Sequence, residues 1–300
     1  MNNKFSIVIP LYNKEESIKK TIESVLNQLY QDFEVLVVND GSTDKSLQVV
    51  AAIIDDRIKI INKDNGGVSS ARNIGIKESQ HSYVAFLDGD DFWETNYLKE
   101  MNMLINDYPE CEFLGANFYN IKNKEKTVQR NDLDENFRGK INNYFKIALT
   151  GNIFQSSAII LHKNLICKAG NFNENIVMGE DYDFWFRNAL YSEIAFINQP
   201  LSNYNEDDPN MATNKEYSFN KMYGYLFEIK KYENKNNDLK ILANKIRVGK
   251  LPQILKANHR KDSINNFIRS INFRALPPKY YLFNVLPLFL QTVIIRTIYK

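Results

Sequence analysis

Through the first third of the chain, short apolar runs rich in β-branched residues alternate with helical spacing, as expected of βα units feeding a parallel sheet. Residues 5–9 form the first run, and Ile18, Ile22, Val25, Leu26 and Leu29 then recur at three- and four-residue intervals, which predicts one face of a helix. A second strand is predicted over 33–38, closed by the turn residues Asn39, Asp40, Gly41 and Ser42. A helix follows with Leu47, Val50, Ala51 and Ile54 facing inward. A strand over 57–61, a helix over about 68–79 and a strand over 83–87 repeat the scheme. Beyond residue 117 the alternation weakens. Residues 122–139 are charged and Asn-rich, as in a loop or edge excursion, and 154–161 reads as a further strand. A helix begins near Glu180 with Phe184, Trp185, Ala189 and Leu190 on its buried side, and from about 213 the pattern is mostly helical. The predicted fold class is α/β, a nucleotide-binding-type sheet flanked by helices and followed by a helical region.

Sheets of this kind bind ligands where the loops converge at the C-terminal ends of the strands. Four polar clusters fall at those ends: 10–13, 39–44, 64–67 and 88–91. The ordinary polarity of loops explains any one of them, but explains four in register less well.

Three segments carry candidate chemistry. Residues 86–93 read Phe-Leu-Asp-Gly-Asp-Asp-Phe-Trp, so a buried strand delivers Asp88, Asp90 and Asp91 together, with Gly89 allowing the tight turn. Crowded carboxylates need a cation or donors to be tolerated, and a few hard oxygens suit Mg²⁺ or Mn²⁺ shared with phosphates. The competing reading is an acidic turn opening a helix from Glu94, where the helix dipole favours Asp. Around Gly179, Glu180 and Asp181, the dipole at a helix start keeps at least one carboxylate ionised, able to accept a proton from a hydroxyl; simple capping is the alternative. Asp64-Asn65-Gly66-Gly67 leading to Arg72 and Gly75 can expose backbone N–H groups and a guanidinium to an anion, although the lysine of a P-loop is missing.

In order, these pieces resemble glycosyltransferase family 2, the inverting nucleotide-sugar-dependent enzymes with the GT-A fold. The matching residues are the opening strand with Pro10, Leu11, Tyr12 and Asn13, then Val38-Asn39-Asp40-Gly41-Ser42, Asn65-Gly66-Gly67 with Ala71-Arg72-Asn73 and Gly75, the DXD pair Asp88 and Asp90, and Gly179-Glu180-Asp181. The resemblance spans about residues 4–200. It implies that Pro10 and Tyr12 line the nucleotide site and that Asp40 accepts from the uracil N–H. It further implies that Asn65 and Arg72 meet the uridine and diphosphate, that Asp88 with Gly89 reaches the ribose or sugar, and that Asp90, with Asp88, holds a divalent cation, Mn²⁺ or Mg²⁺. Asp181 would be the general base, with Glu180 beside it in the acceptor pocket. The family usually has two consecutive aspartates where this chain has Asn39-Asp40; the base-reading role falls on the second. The implied activity is transfer of a sugar from a UDP-sugar to a hydroxyl of a glycan or lipid-linked glycan. The acceptor class is surface polysaccharide, lipopolysaccharide or capsule. The alternatives are a catalytically inactive nucleotide-sugar-binding module and a sugar-phosphate nucleotidyltransferase; the second should carry a basic glycine-rich loop where Pro10–Lys14 stands.

Charge divides the chain. Residues 221–300 hold 16 Lys and Arg against 4 Asp and Glu, leaving 22 against 32 in residues 1–220, which hides inside a net charge of +2. The expected organisation is a catalytic domain over 1–212 and a helical basic region over 213–300. No nucleic-acid signature accompanies the basic segment, and residues 280–295 carry no charge. A basic stretch ending in an apolar one suits an anionic membrane surface, while Leu282, Leu286, Phe289, Leu290, Val293 and Ile294 can equally pack on the catalytic domain or a second subunit as a homodimer contact. Two cysteines in no redox or ligand spacing and a short opening apolar run give a cytoplasmic expectation, peripheral at the inner face of the cell membrane.

Overall fold

In the computed structural model, which describes residues 2–211, 217–256 and 261–276, the chain forms two compact units, Met1–Glu216 and Tyr217–Lys300. The first is built on one ten-stranded sheet. Its spine is β1 (Phe5–Leu11), with β2 (Phe33–Asp40) and β4 (Tyr83–Phe86) parallel on either side and β3 (Ile58–Lys63) beyond β2. Phe5, Ile7, Val8 and Ile9 are all fully buried, as a strand covered on both faces must be. The other half is antiparallel in part. β9 (Ile159–His162) runs antiparallel between β4 and β6 (Phe113–Lys122), and β6 pairs in parallel with β10 (Ile194–Asn205). The short strands β5 (Phe92–Trp93), β7 (Glu125–Val128) and β8 (Arg138–Ile141) add antiparallel edges. The mixed sheet flanked by helices is the expected fold.

The helices of this unit are α1 (Ile18–Leu26), α2 (Ser46–Ala51), α3 (Val68–Glu78), α4 (Tyr97–Asp107), α5 (Tyr144–Ile147), α6 (Lys163–Ala169) and α7 (Glu180–Ala189). α3 lies so close to β1 that a Cβ on Gly75 would stand 2.2 Å from Val8 Cγ1. That glycine serves packing, and through it the placement of Arg72 one turn earlier.

Several expectations are corrected. α1 ends at Leu26, so Leu29 lies past it and is 64% exposed; α2 ends at Ala51, leaving Ile54 98% exposed. The run 154–161 divides into a 3₁₀ turn over Ser156–Ala158 and β9, because Ser157 is drawn into polar contacts described below. Of the two readings of 122–139, the edge excursion holds: the segment carries a β6–β7 hairpin and the approach to β8. In α7 Phe184 and Trp185 are buried as expected, but Asp183 and Arg187 are buried with them, while Ala189 and Leu190 are partly exposed. The acidic turn does not cap a helix: β5 follows it, and α4 begins only at Tyr97.

The second unit contains α8 (Phe219–Ile229), α9 (Asn237–Lys256) and α10 (Lys261–Ser270). Phe267 of α10 is its aromatic centre, with the rings of Phe219, Tyr223 and Phe227 of α8 each 6.0 Å away. The apolar stretch 280–295 lies outside the described residues. Among the described residues no helix is long and apolar enough to cross a membrane.

Candidate active site

The site forms where β1, β2 and β4 end, opposite the first turn of α7. At the end of β2, Asn39 uses its amide in both senses, accepting from Ser42 N–H at 3.1 Å and donating to Asn62 Oδ1 at 2.9 Å. An aspartate could not donate, which gives the departure at this position a local reason. Asp40 is 3% exposed. Its carboxylate accepts from the backbone N–H groups of Gly66 and Gly67, each at 2.8 Å, and from Lys63 Nζ. Asn65 Nδ2 donates to the Asp40 carbonyl at 2.9 Å, so the glycine loop entering α3 is bound to the end of β2. Gly67 has φ +89°, backbone that side-chain-bearing residues rarely adopt. Pro10 is partly buried and Tyr12 is 37% exposed, both beside this loop's end of the sheet.

Arg72 joins the second and third motifs. It is 3% exposed, and its guanidinium contacts Asp88 Oδ1 at 2.7 Å and Glu180 Oε1 at 3.0 Å. Burial works against its charge, but Asp88 and Glu180 outweigh that and raise its pKa. Asp88 and Glu180, distant in sequence, thus share one cation, which reaches Glu180 across 108 positions.

The acidic loop is held from several sides. Asp88 N–H donates to Ser157 Oγ at 2.9 Å, and the Gly89 carbonyl accepts from Ser17 and Thr21 hydroxyls, each at 3.1 Å. Asp90 meets Lys14 Nζ at 2.5 Å, and the same ammonium reaches Asp208 at 2.8 Å. Burial opposes the Lys14 charge, yet the two carboxylates raise its pKa. Asp90 is itself pushed up by burial, against the pull of Lys14 and with the push of Asp88. Asp91 is 1% exposed and accepts from Ser157 Oγ at 2.6 Å, Gln155 Nε2 at 2.5 Å and Asn205 N–H at 2.9 Å. Burial, then Asp90 and Asp88, push its pKa well above the carboxylate range. Asp91 therefore ties the loop to the 3₁₀ turn and to the end of β10, its carboxylate committed to these protein donors.

α7 opens on Gly179, whose φ of +78° is left-handed. Of the three carboxylates in its first turn, Asp183 is committed to the fold: it is buried and pairs with Arg187 at 2.8 Å, while Arg187 also donates to the carbonyls of Ala169, Gly170 and Asn171. Glu180 is pushed up by burial, partly offset by Arg72. Asp181 is pushed up to about 7 by burial and then by the Glu180 charge, opposed by the N–H of Tyr182. A carboxylate near neutrality is one that can hold or release a proton at working pH.

The structure thus brings Asp88, Asp90, Glu180, Asp181 and Arg72 into one cluster, with Asp40 and Asn65 organising the neighbouring loop. Lys14, Lys63 and Asp208, along with Gln155, Ser157 and Asn205, were not foreseen in these contacts. The polar triplet Gln155-Ser156-Ser157 ahead of an apolar run was a readable signal; Asp208, 194 positions from Lys14, had none. Among the described residues the one group of three potential metal ligands with mutually close atoms is Glu110, Cys111 and Glu193, at the opposite ends of the strands. Lys140 already bridges its carboxylates at 3.1 and 3.0 Å, and burial followed by Glu110 and Glu193 pushes the thiol up to about 11. A protonated thiol beside a paired lysine is a poor ligand set.

The sequence profile of the family described as "Glycosyl transferase family 2" matches residues 6–167, more than half of the chain. The chain belongs to glycosyltransferase family 2. Among its relatives, an uncharacterized glycosyltransferase of Rickettsia typhi, RT0329, is 28% identical over 233 residues, covering 76% of this chain and 73% of that protein. The uncharacterized glycosyltransferase EpsJ of Bacillus subtilis is 30% identical over 222 residues, 71% and 63%. Glycosyltransferase GlyA of Streptococcus pneumoniae is 30% identical over 158 residues, covering 52% of this chain but only 22% of that protein. The crystal structure of S. aureus TarS 1–349 in complex with UDP-GlcNAc has a TM-score of 0.72 at 20% identity and covers 98% of this chain and 88% of that one, a likeness of fold. This family 2 protein is a glycosyltransferase, and the cluster at its strand ends is its candidate active site.

Proposed function

We propose that the enzyme transfers a sugar from a UDP-sugar to a hydroxyl of a glycan or lipid-linked glycan acceptor, inverting the anomeric configuration. The observation that carries this is Asp181: a carboxylate at the start of α7 pushed up to about 7, across Arg72 from the acidic loop. Support for the donor class comes from the family and from the UDP-GlcNAc complex of TarS, which favours an N-acetylhexosamine.

In this reading Pro10, Tyr12 and Asn65 line the nucleotide. Asp40 has four lone-pair sites and three protein donors, so it retains capacity for one ring N–H. Arg72 keeps the Asp88 and Glu180 charges compatible and presents positive charge toward a departing diphosphate. Asp181 accepts the proton of the incoming hydroxyl as the bond to the anomeric carbon forms and the bond to diphosphate breaks. A single base and no second nucleophilic carboxylate fit one in-line step. The donor set around Lys14 suits a divalent cation: Asp90 and Asp208 present hard oxygens to a positive charge already, and a small number of carboxylates completed by phosphates is what Mg²⁺ or Mn²⁺ accepts. Asp90 with Asp88 would hold it; when bound it neutralises diphosphate charge. The acceptor is assigned to surface polysaccharide of the lipopolysaccharide or capsule type, handled at the inner face of the membrane with residues 213–300 as the basic contact region.

The test is a screen of UDP-sugars, with NMR of the product. Transfer with inverted anomeric configuration is expected from the wild type, with turnover lowered by about 10²–10⁴ in Asp181→Asn; retention, or equal turnover by both proteins, refutes the mechanism.

A further inference from the structure

The second unit contains a cleft of about 360 Å³ lined by Lys230, Glu233, Asn234, Lys240, Arg269, Ser270, Ile271 and Asn272. We propose that this cleft binds a phosphate group, as a phosphomonoester, phosphodiester or diphosphate. All the lining residues belong to the second unit, and the proposal does not depend on the donor-site assignment.

Three observations support it. Lys230 follows the end of α8, Lys240 lies in the first turns of α9, and Arg269 stands near the end of α10; three elements converge to place three cations on one concavity. Among the described residues none of the three has an acidic partner, whereas the one carboxylate of the lining, Glu233, is buried and turned to Arg247. The cleft therefore presents unbalanced positive charge. Asn234 and Asn272 add amide groups, the company in which Lys and Arg bind phosphate, while the Ser270 hydroxyl is already donated to the Phe267 carbonyl at 2.6 Å.

The floor is built rather than incidental. Arg247 is fully buried, pairs with Glu233, and donates to the Leu226 carbonyl at 2.5 Å and to Asn244 Oδ1 at 3.3 Å. Asn244 Oδ1 accepts from Asn272 N–H at 2.6 Å, and Asn244 Nδ2 donates to the Lys240 carbonyl at 2.7 Å. A buried ion pair offsets its desolvation only where further hydrogen bonds satisfy its remaining groups, as the Leu226 carbonyl and Asn244 do here. The geometry so fixed is that of Glu233, Lys240 and Asn272, all of them lining residues.

The experiment is titration calorimetry of the full chain at low salt, with inorganic pyrophosphate as probe. Three proteins are compared: wild type, Lys230→Gln/Lys240→Gln/Arg269→Gln, and a control, Lys221→Gln/Lys245→Gln/Lys261→Gln. The control removes as many charges from exposed positions of the same unit outside the cleft. Any binding at the donor site is common to all three, so the cleft is read as a difference. The cleft variant should weaken binding about a hundredfold and the control no more than about threefold, given on the order of a fivefold effect for each of the three cations in direct phosphate contact and little from distant ones. Equal losses in both variants, or none in either, overturn the proposal. If the triple variant does not fold, Arg269→Gln alone should still weaken binding about fivefold, and unchanged binding by it overturns the proposal. Anionic phosphatidylglycerol vesicles distinguish the source of the phosphate. Parallel loss of vesicle binding by the cleft variant assigns a lipid headgroup, while retained vesicle binding with lost pyrophosphate binding assigns a soluble or acceptor phosphate; both outcomes support the cleft.

Discussion

Asp40 and Asp181 stand at the same ligand edge of the sheet and are handled in opposite ways. Asp40 is surrounded by donors, two backbone N–H groups and a lysine, and its carboxylate holds a glycine loop in shape. Asp181 has the N–H of Tyr182 and the crowding of Glu180, and it is pushed up to about 7. Donor supply, more than residue type, separates a carboxylate that organises a loop from one left able to take a proton.

Substituting each in turn should pull the two roles apart. Asp181→Asn should lower turnover by about 10²–10⁴, the range for a general base, while the melting temperature does not fall; a turnover loss under tenfold would erase the contrast. Asp40→Asn should do the reverse in kind. It places an amide N–H₂ against existing donors and leaves buried N–H groups unsatisfied, at about 1–3 kcal/mol of stability, measurable by urea unfolding, with donor KM raised by the displaced loop.

The pH dependence sharpens the same contrast. Below about 7 the rate should fall roughly tenfold per pH unit as Asp181 takes up its proton, and stopped assays across pH 5–9 would show it. The stability consequence has a definite sign. The folded-state pKa lies above the unfolded value, so the folded chain binds more protons between about 4 and 7 and loses stability as pH rises through that window, then levels off. Asp181→Asn should remove this slope, whereas Asp40→Asn should leave it. The smallest effect is expected from Glu180→Gln. Removing the neighbouring charge should move the acid limb of the rate profile to lower pH, by a few tenths to one unit, visible as higher relative activity at pH 6 than in the wild type.

Much of the sheet was legible because alternating β-branched runs and helical spacing are local patterns, and strands β1, β2 and β4 with helices α1 and α3 follow from them. Misreadings came where local pattern met competing demands. Ile54 and Leu29 fit a helical face but lie beyond helix ends that closed early. The run 154–161 looked continuous, but Ser157 is required by both Asp88 and Asp91, and the chain turns there before the strand begins. Asp183 and Asp181 are indistinguishable by spacing, and only Arg187, one helical turn later, commits Asp183 to the fold.

Family membership and the identity of the acidic residues at the strand ends could be read in one dimension, because motif order and strand-end position are properties of the chain. Which charges cancel could not. Lys14 reaches Asp90 and Asp208 over 76 and 194 positions, and Arg72 reaches Glu180 over 108. Electrostatic interaction and desolvation depend on distance and burial in space, so the pairing of these groups, and with it the raised pKa of Asp181, was decided by the tertiary structure.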